Sequence, residues 1–515
     1  MSHASSLLLA LLVYLAWSWW SKNTSNRRLP PGPRPIPFLG NVHQLPSEFQ
    51  HKTFSEWGKQ YGDLVFAQLF QSKAIIVNSL RVAQDLLERR SAVASDRPPM
   101  SLLNDVLGWD SDFGFMRYGE RWRMHRKWTH LAFETQAALQ SYAPIQYRER
   151  AKLLSALLKH PKDYREHIER FAAALIMEVA YGYTLVSDDD EFFRRTRHAI
   201  QLTVDVGSAA ASLIDFFPIL KHVPAWLPGA GFMRDALAAR KAVREHIDIP
   251  YDAVKNDVIS GQAKSSFVSA LIAQHLKDDT LTPNIEEDIK GGASGLYIAA
   301  AETTATVLTT FILAMVLHPK VYKKAQDEID RVVGNSRLPD LGDRDSLPYI
   351  ECVIKELFRW NSPTPLGLPH ALTENQEYNG YSLPGGATIF TNIWQMTQDA
   401  EFYPEPEKFR PERFQEMDID TAKRTDPRRY IFGFGRRICP GRHFADTNVW
   451  FGIASIVATL DICKARDING NEITPRIFFP RGMVSAPEPF ICEIRPRQGR
   501  PAEALILQAL SSTDA

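Results

Sequence analysis

A mainly α-helical fold with a minor β portion, built as one large domain behind an N-terminal apolar segment, is what this 515-residue sequence predicts. Three observations carry that reading. From about Val82 to Met315 the chain runs in long apolar-periodic stretches, broken at Pro98-Pro99, Pro144, Pro161 and Pro228-Gly229. Before them, Asp63–Ser79 (DLVFAQLFQSKAIIVNS) reads as two short strands joined at Gln71-Ser72-Lys73. Beyond Pro363 prolines and glycines thicken, and short strands mix with loops. No repeat, low-complexity tract or composition shift divides residues 41–500, and 501–515 reads as a tail.

The first residues stand apart. Ala4–Trp20 (ASSLLLALLVYLAWSWW) has no charge over 17 residues, the lower limit for crossing a bilayer. Trp17, Trp19 and Trp20 sit at one end, and Lys22, Arg27 and Arg28 follow, which places that side in the cytosol. A cleaved signal peptide would start with basic residues and end in small ones; MSHAS and the tryptophans do neither. Residues 1–21 are therefore expected to form an uncleaved anchor, leaving the Asn23-Thr24-Ser25 sequon on the cytosolic side and unmodified. Residues 22–40 form a basic, proline-rich hinge, with prolines at 30, 31, 33, 35 and 37 that make it stiff.

Lys+Arg and Asp+Glu balance at 60 each, so no net field favours nucleic acid. The four cysteines, Cys352, Cys439, Cys463 and Cys492, form no CxxC pair and no disulfide framework. One of them is unlike the others. Cys439 lies in FGFGRRICPG (432–441), with the spacing Phe432-x-x-Gly435-x-Arg437-x-Cys439-x-Gly441. Glycines permit turns and close approach to the main chain. Arg436 and Arg437 supply positive charge, and the apolar run after Arg442 places the cysteine just before a helix N-terminus, all of which favours a thiolate. A zinc site on Cys439 and His443 lacks a second ligand pair, and Ile438 occupies the third glycine of a dinucleotide loop. A buried structural cysteine is the bland alternative.

This stretch resembles the haem-binding loop of the cytochromes P450, the haem-thiolate monooxygenases. The resemblance implies a single P450-type domain carrying haem b, with Cys439 as the axial ligand of iron. It also implies that Arg437 pairs with a haem propionate and that Phe432 packs beside the sulfur. A thiolate ligand pushes electron density onto iron and favours O–O cleavage.

Three further constellations occur in family order. Ala299-Ala300-Ala301-Glu302-Thr303-Thr304 lies in a helical stretch from about Pro283 to His318, capped by Thr282. It resembles the oxygen-activating helix, in which the acid Glu302 and the alcohol Thr303 relay protons. Ala300 departs from the usual glycine there, and Glu302 from the commoner aspartate. A Thr303 hydroxyl bonded back to its own helix is the bland reading. Glu356-x-x-Arg359 resembles the buried ExxR pair, joined by Arg413 from Pro411-Glu412-Arg413-Phe414; as an isolated pair it would be surface decoration. Trp122-x-x-x-Arg126 resembles the WxxxR motif whose ends reach a propionate, and His370 occupies the place of a further propionate partner. Gln398 stands where many members carry histidine and reads as a tolerated surface change.

The resemblance covers residues 1–495 and implies an endoplasmic-reticulum enzyme, single-pass, with a cytosolic catalytic domain. It takes electrons from NADPH–cytochrome P450 reductase, with cytochrome b5 as a further donor, the basic RWRMHRK helix facing the reductase. The turn ALTENQEYNGYSLPGGATIFTNIW looks most like fungal members of specialised metabolism. Segments 102–116, 203–217, 293–301, 365–368 and 482–485 are placed around the substrate and are largely apolar, which suggests a lipophilic substrate such as a terpenoid or polyketide. Two other readings stay open: a haem-thiolate enzyme that uses no reductant, as a peroxygenase or isomerase, and a non-enzymatic haem-binding membrane protein.

Overall fold

The computed structural model describes residues 28–185, 190–206, 213–480 and 482–512. The apolar segment expected as an anchor, and the sequon, lie outside the described residues. The chain divides into two compact units, each discontinuous in sequence: one holds residues up to Pro99, Leu366–Met396 and Phe434–Arg437, the other Met100–Pro365, Thr397–Gly433 and Ile438 onward. The chain passes repeatedly from one to the other, which is why no shift of composition marks a boundary.

The first unit is built on a four-stranded sheet. β1 (Leu64–Leu69) and β2 (Ser72–Val77) pair antiparallel, and β2 continues through β6 (Thr388–Thr391), parallel, to β3 (His370–Ala371), antiparallel. The hairpin turn is Phe70-Gln71, one residue earlier than the sequence reading, because Ser72 already pairs with Leu69 and Phe70 takes a left-handed φ of 52°. β4 (Gln376–Tyr378) and β5 (Tyr381–Leu383) form a second hairpin around Asn379-Gly380, both at positive φ. The proline-rich stretch is docked rather than free: Phe66 N–H donates to Pro31 O at 3.0 Å, and the Asn41 amide to Pro33 O at 3.1 Å.

The second unit is helical. Its centre is the helix Pro283–Leu317, 35 residues and about 50 Å long at 1.5 Å per residue. Thr282 caps it, accepting from Ile285 N–H at 3.4 Å, and Pro283 opens its first turn, as the sequence predicts. It is long and apolar enough to cross a membrane, yet most of it is buried inside the protein, so it is a core helix. The helix Tyr164–Tyr181 packs along it more extensively than any other pair in the unit. The apolar-periodic run after Cys439 forms the helix Arg442–Thr459, buried over most of its length. A small sheet of β7 (Leu460–Arg466), β8 (Glu472–Ile473) and β9 (Cys492–Pro496) follows, ordered β8-β7-β9.

Residues read as a tail carry a helix, Ala502–Ser511, packed on the helix Ala143–Lys159 through Leu505 and Ile506. Its period is apolar at 502, 505 and 506; shortness hides that signal.

Candidate functional site

The cysteine loop contributes to both units, so its two parts are described in turn. In the second unit, Cys439 N–H donates to Phe432 O at 2.8 Å, closing the loop on itself immediately before Gly441 and the helix Arg442–Thr459. The Phe432 ring meets Phe358 edge-on at 5.9 Å. Arg126, on the helix Glu120–Phe133, donates from Nη1 to Ile438 O at 2.7 Å and from Nη2 to Glu134 Oε1 at 2.7 Å. Arg442 Nη1 reaches the same Glu134 oxygen at 2.9 Å and Cys439 O at 3.1 Å. Burial pushes the Cys439 thiol up; the Gly441 N–H, then Arg126 and Arg442, oppose it. In this unit the cations acting on the sulfur are thus Arg126 and Arg442. Arg442 was missed in the sequence reading; its i+3 place after the cysteine is the signal that could have found it.

Burial outweighs these aids, so the protein surroundings alone do not favour the thiolate. Among the described residues no group of three or more His, Cys, Asp or Glu could hold an ion. A single sulfur donor in that setting fits a metal that brings its own equatorial donors, as haem does, and does not fit zinc.

In the first unit, Phe434–Arg437 packs on the segment around Leu87. Gly435 has φ +56°, and a Cβ there would sit 2.0 Å from Leu87 O, so its glycine is required by protein packing rather than only by an approaching ligand. Arg437 Nε donates to Ser95 O at 2.7 Å. His370 Nδ1 contacts Ala94 O at 2.8 Å. Burial first, then the charges of Arg97 and Arg437, lower the His370 pKa to about 3, so the ring stays neutral and Nδ1 is the donor. Arg97 is buried and donates to Leu368 O at 3.0 Å and Pro369 O at 2.7 Å. Two arginines and a neutral histidine therefore gather in one place, a setting suited to carboxylates. Arg97 was not singled out in the sequence, because its partners lie some 270 residues away.

Glu356, Arg359 and Arg413 form a fully buried network. Glu356 Oε2 and Oε1 accept from Arg359 Nε and Nη2 at 2.8 and 2.9 Å; Oε1 also accepts from Arg413 Nε at 3.1 Å and Arg410 N–H at 2.7 Å. The remaining guanidinium donors reach the carbonyls of Thr397, Pro404, Glu405, Pro406 and Lys408. Two cations share one carboxylate, and five carbonyls satisfy the rest. This is no surface decoration.

On the long helix, Gly291–Tyr297 and Thr304–Val316 are buried, while Ile298–Thr303 between them keeps accessible surface. The α-helix runs unbroken through Ala300. Thr303 Oγ1 donates back to Ala299 O at 2.7 Å, the bland geometry, which leaves its lone pairs free to accept. Glu302 keeps accessible surface although protein crowds it on most sides; that crowding, and then the charge of Glu169, push its pKa up. Gly291 and Gly295 receive the loop Ser111–Asp112, where a Cβ would fall 2.2 Å from Ser111 Oγ and 2.7 Å from Asp112 Oδ1.

Trp122 is buried on the helix Glu120–Phe133, while Arg121, Arg123, Lys127 and His130 are exposed on it. Of the apolar residues expected around a substrate, Leu102 and Val106 prove to be core, clustered with Leu107, Trp109, Ile214 and Met233; Leu103, Phe115 and Ile298 lie half-buried beside them.

Comparison with known proteins decides the family. The cytochrome P450 family model matches residues 30–490. The chain is a cytochrome P450. It is 47% identical over 487 residues to cytochrome P450 monooxygenase 176 of Postia placenta, covering 95% of this chain and 94% of that one. It is 38% identical to cytochrome P450 monooxygenase claR of Ampulloclitocybe clavipes, covering 96% and 91%. To tryptamine 4-monooxygenase of Psilocybe cyanescens it is 35% identical, covering 96% and 97%. As a P450 it is a haem enzyme that incorporates oxygen from dioxygen, its fold mainly helical as expected.

Proposed function

We propose that this P450 hydroxylates or otherwise oxidises a lipophilic small molecule of fungal secondary metabolism, a terpenoid or polyketide, with electrons from NADPH–cytochrome P450 reductase. The observation that carries the reading is Cys439: a half-buried cysteine, outside any group of three or more metal-binding side chains among the described residues, with Arg126 and Arg442 acting on its sulfur, in a loop closed on Phe432 O. Haem, when bound, supplies the oxygen chemistry. Cys439 would ligate its iron. In the first unit Arg97, Arg437 and His370 would serve its propionates; in the second, Trp122 and Arg126 would do so by the family resemblance, and Phe432 and Gly441 shape the loop. Gly441 has an ordinary φ and no close neighbour for a Cβ, so its N–H to the sulfur is its contribution.

Glu302, its pKa pushed up by burial and then by the charge of Glu169, takes up a proton more readily than an ordinary glutamate; Thr303, donating to Ala299 O, can accept a hydrogen bond and pass the proton on. The half-buried Leu103, Phe115 and Ile298 suit an apolar substrate. The exposed cationic face of the helix Glu120–Phe133 suits an acidic redox partner, reductase or cytochrome b5. An uncleaved N-terminal helix in the endoplasmic-reticulum membrane, from the sequence, would deliver both.

The test is reconstitution with reductase and NADPH against a panel of terpenoid and polyketide compounds. A ligand that shifts the haem spin state and is converted with consumption of NADPH and dioxygen supports the proposal. Conversion with peroxide alone, and none with reductase, would replace it with a reductant-independent enzyme.

A further inference from the structure

The turn that follows β9 carries two arginines whose surroundings differ. A cleft of about 710 Å³ opens between that turn, the helix Pro319–Val332 and β7, and every residue lining it is polar or glycine. Arg497 is buried and donates from Nη2 to Asp330 Oδ2 at 2.6 Å and from Nη1 to Val457 O at 3.4 Å. Arg500 follows Gly499, which takes a φ of 76°. Its side chain is only 3% exposed, yet none of its three guanidinium nitrogens has a hydrogen-bond partner among the described residues. Asp330 Oδ1 lies 3.4 Å from Nη1, and the Asp330 side chain is 45% exposed. Burial disfavours the Arg500 charge, Asp330 supports it and Arg497 opposes it. The triad of Glu356, Arg359 and Arg413 also sets one carboxylate against two guanidiniums, but there five backbone carbonyls take up the remaining donors. Arg500 has no such carbonyl. A buried cation with unmet donors costs stability unless something else meets them.

We propose that this cleft binds a small polar carboxylate, whose two oxygens take the fork of Arg500 while Asp330 swings outward into water. The lining sets the ligand's class. No apolar side chain is there to receive a lipophilic molecule. Two guanidiniums meet one carboxylate, Asp330, which leaves one charge unmatched; with Asp461 also on the wall, a monoanion fits better than a phosphate of nearly two charges. A guanidinium and a carboxylate also match in plane and spacing. Asp461 is held, accepting from Gln326 Nε2 at 3.0 Å and Gln498 N–H at 3.2 Å, so the half-exposed Asp330 is the one that yields. Asn335, exposed on the rim, offers an amide to ligand hydroxyls. Val457, which Arg497 touches, lies about 20 Å along the helix Arg442–Thr459 from its start beside Cys439. The cleft is therefore a second site, apart from the cysteine loop.

The experiment titrates the haem-loaded full chain with sodium gluconate, a polar monocarboxylate, by calorimetry and thermal melting, at ionic strength held constant with sodium chloride. Inorganic phosphate and neutral sorbitol are run alongside. Wild type should bind gluconate saturably and melt higher with it. Phosphate should bind more weakly, and sorbitol not at all. Arg500→Gln should weaken gluconate binding about ten-fold or more, and Arg500→Lys, which keeps the charge without the fork, should recover part of it. Without gluconate, Arg500→Gln should melt no lower than wild type, because an unmet buried charge is gone; a purely structural arginine would give a lower Tm. Asp330→Asn, at a half-exposed position, should tighten gluconate about two- to five-fold by removing the competing carboxylate. No saturable binding in wild type, or binding that Arg500→Gln leaves unchanged, would overturn the proposal. If Arg500→Gln does not fold, Asp330→Asn decides, and an unchanged affinity there overturns it. Phosphate bound more tightly than gluconate would overturn the carboxylate as the ligand.

Discussion

Glu356 and Glu302 are both helix-borne carboxyls in the same unit, and their surroundings are opposite: Glu356 pairs with Arg359 three residues on, whereas the charge found to act on Glu302 is a carboxylate. Glu356 accepts from two guanidiniums and a backbone N–H in a dry network with no accessible surface. Glu302 has accessible surface, and the charge acting on it is another carboxylate. Glu356 is held as a permanent anion that fixes the turns from Thr397 to Arg413; Glu302 is arranged so that its charge is costly and a proton is welcome. Burial alone therefore does not decide what a glutamate does. The sign of its neighbours does.

Breaking the first side of that contrast should have the largest effect. Glu356→Ala leaves two arginines buried without their carboxylate, at a cost of about 3–5 kcal/mol. Chemical denaturation should show that loss, with haem-loaded protein recovered poorly. On the other side, Glu302→Gln should fold and load haem normally while product formed per NADPH falls on the order of 100-fold. Near-normal coupling in that variant would remove Glu302 from proton transfer.

The smallest effect sharpens the contrast by pH. The folded-state pKa of Glu302 is raised, so its contribution favours folding at pH below its unfolded value and is lost as pH rises through the folded one. Near neutrality the ionised side chain is a net cost, and Glu302→Gln should melt slightly higher than wild type there, the two curves converging in acid. Because Glu302 is partly accessible, solvent screening keeps the difference small.

What the sequence made legible follows the same division between local and distant causes. The long helix, its Thr282 cap and Pro283 start, the strand pair near residue 70 and the helix after Cys439 rest on neighbours in the chain, and they read correctly, the strand turn to within two residues. The ExxR triad was legible through its family pattern, since nothing local distinguishes Glu356-x-x-Arg359 from a surface pair. Four features were not. Arg97 and the Arg442–Glu134–Arg126 cluster depend on partners hundreds of residues away, or on another helix, so charge near Cys439 was assigned to adjacent arginines instead. Gly435 looked like a clearance for a flat ligand, whereas its nearest constraint is the Leu87 carbonyl. The helix Ala502–Ser511 was too short to stand out from a tail.

The central claim is that Cys439 ligates haem iron as a thiolate. The absorption spectrum of the ferrous–carbonyl complex, recorded for wild type and Cys439→Ser, tests it directly. A strongly red-shifted Soret band in wild type that vanishes in the variant is the predicted result. Haem bound with an unshifted band in wild type, or a red-shifted band that survives the substitution, would contradict it.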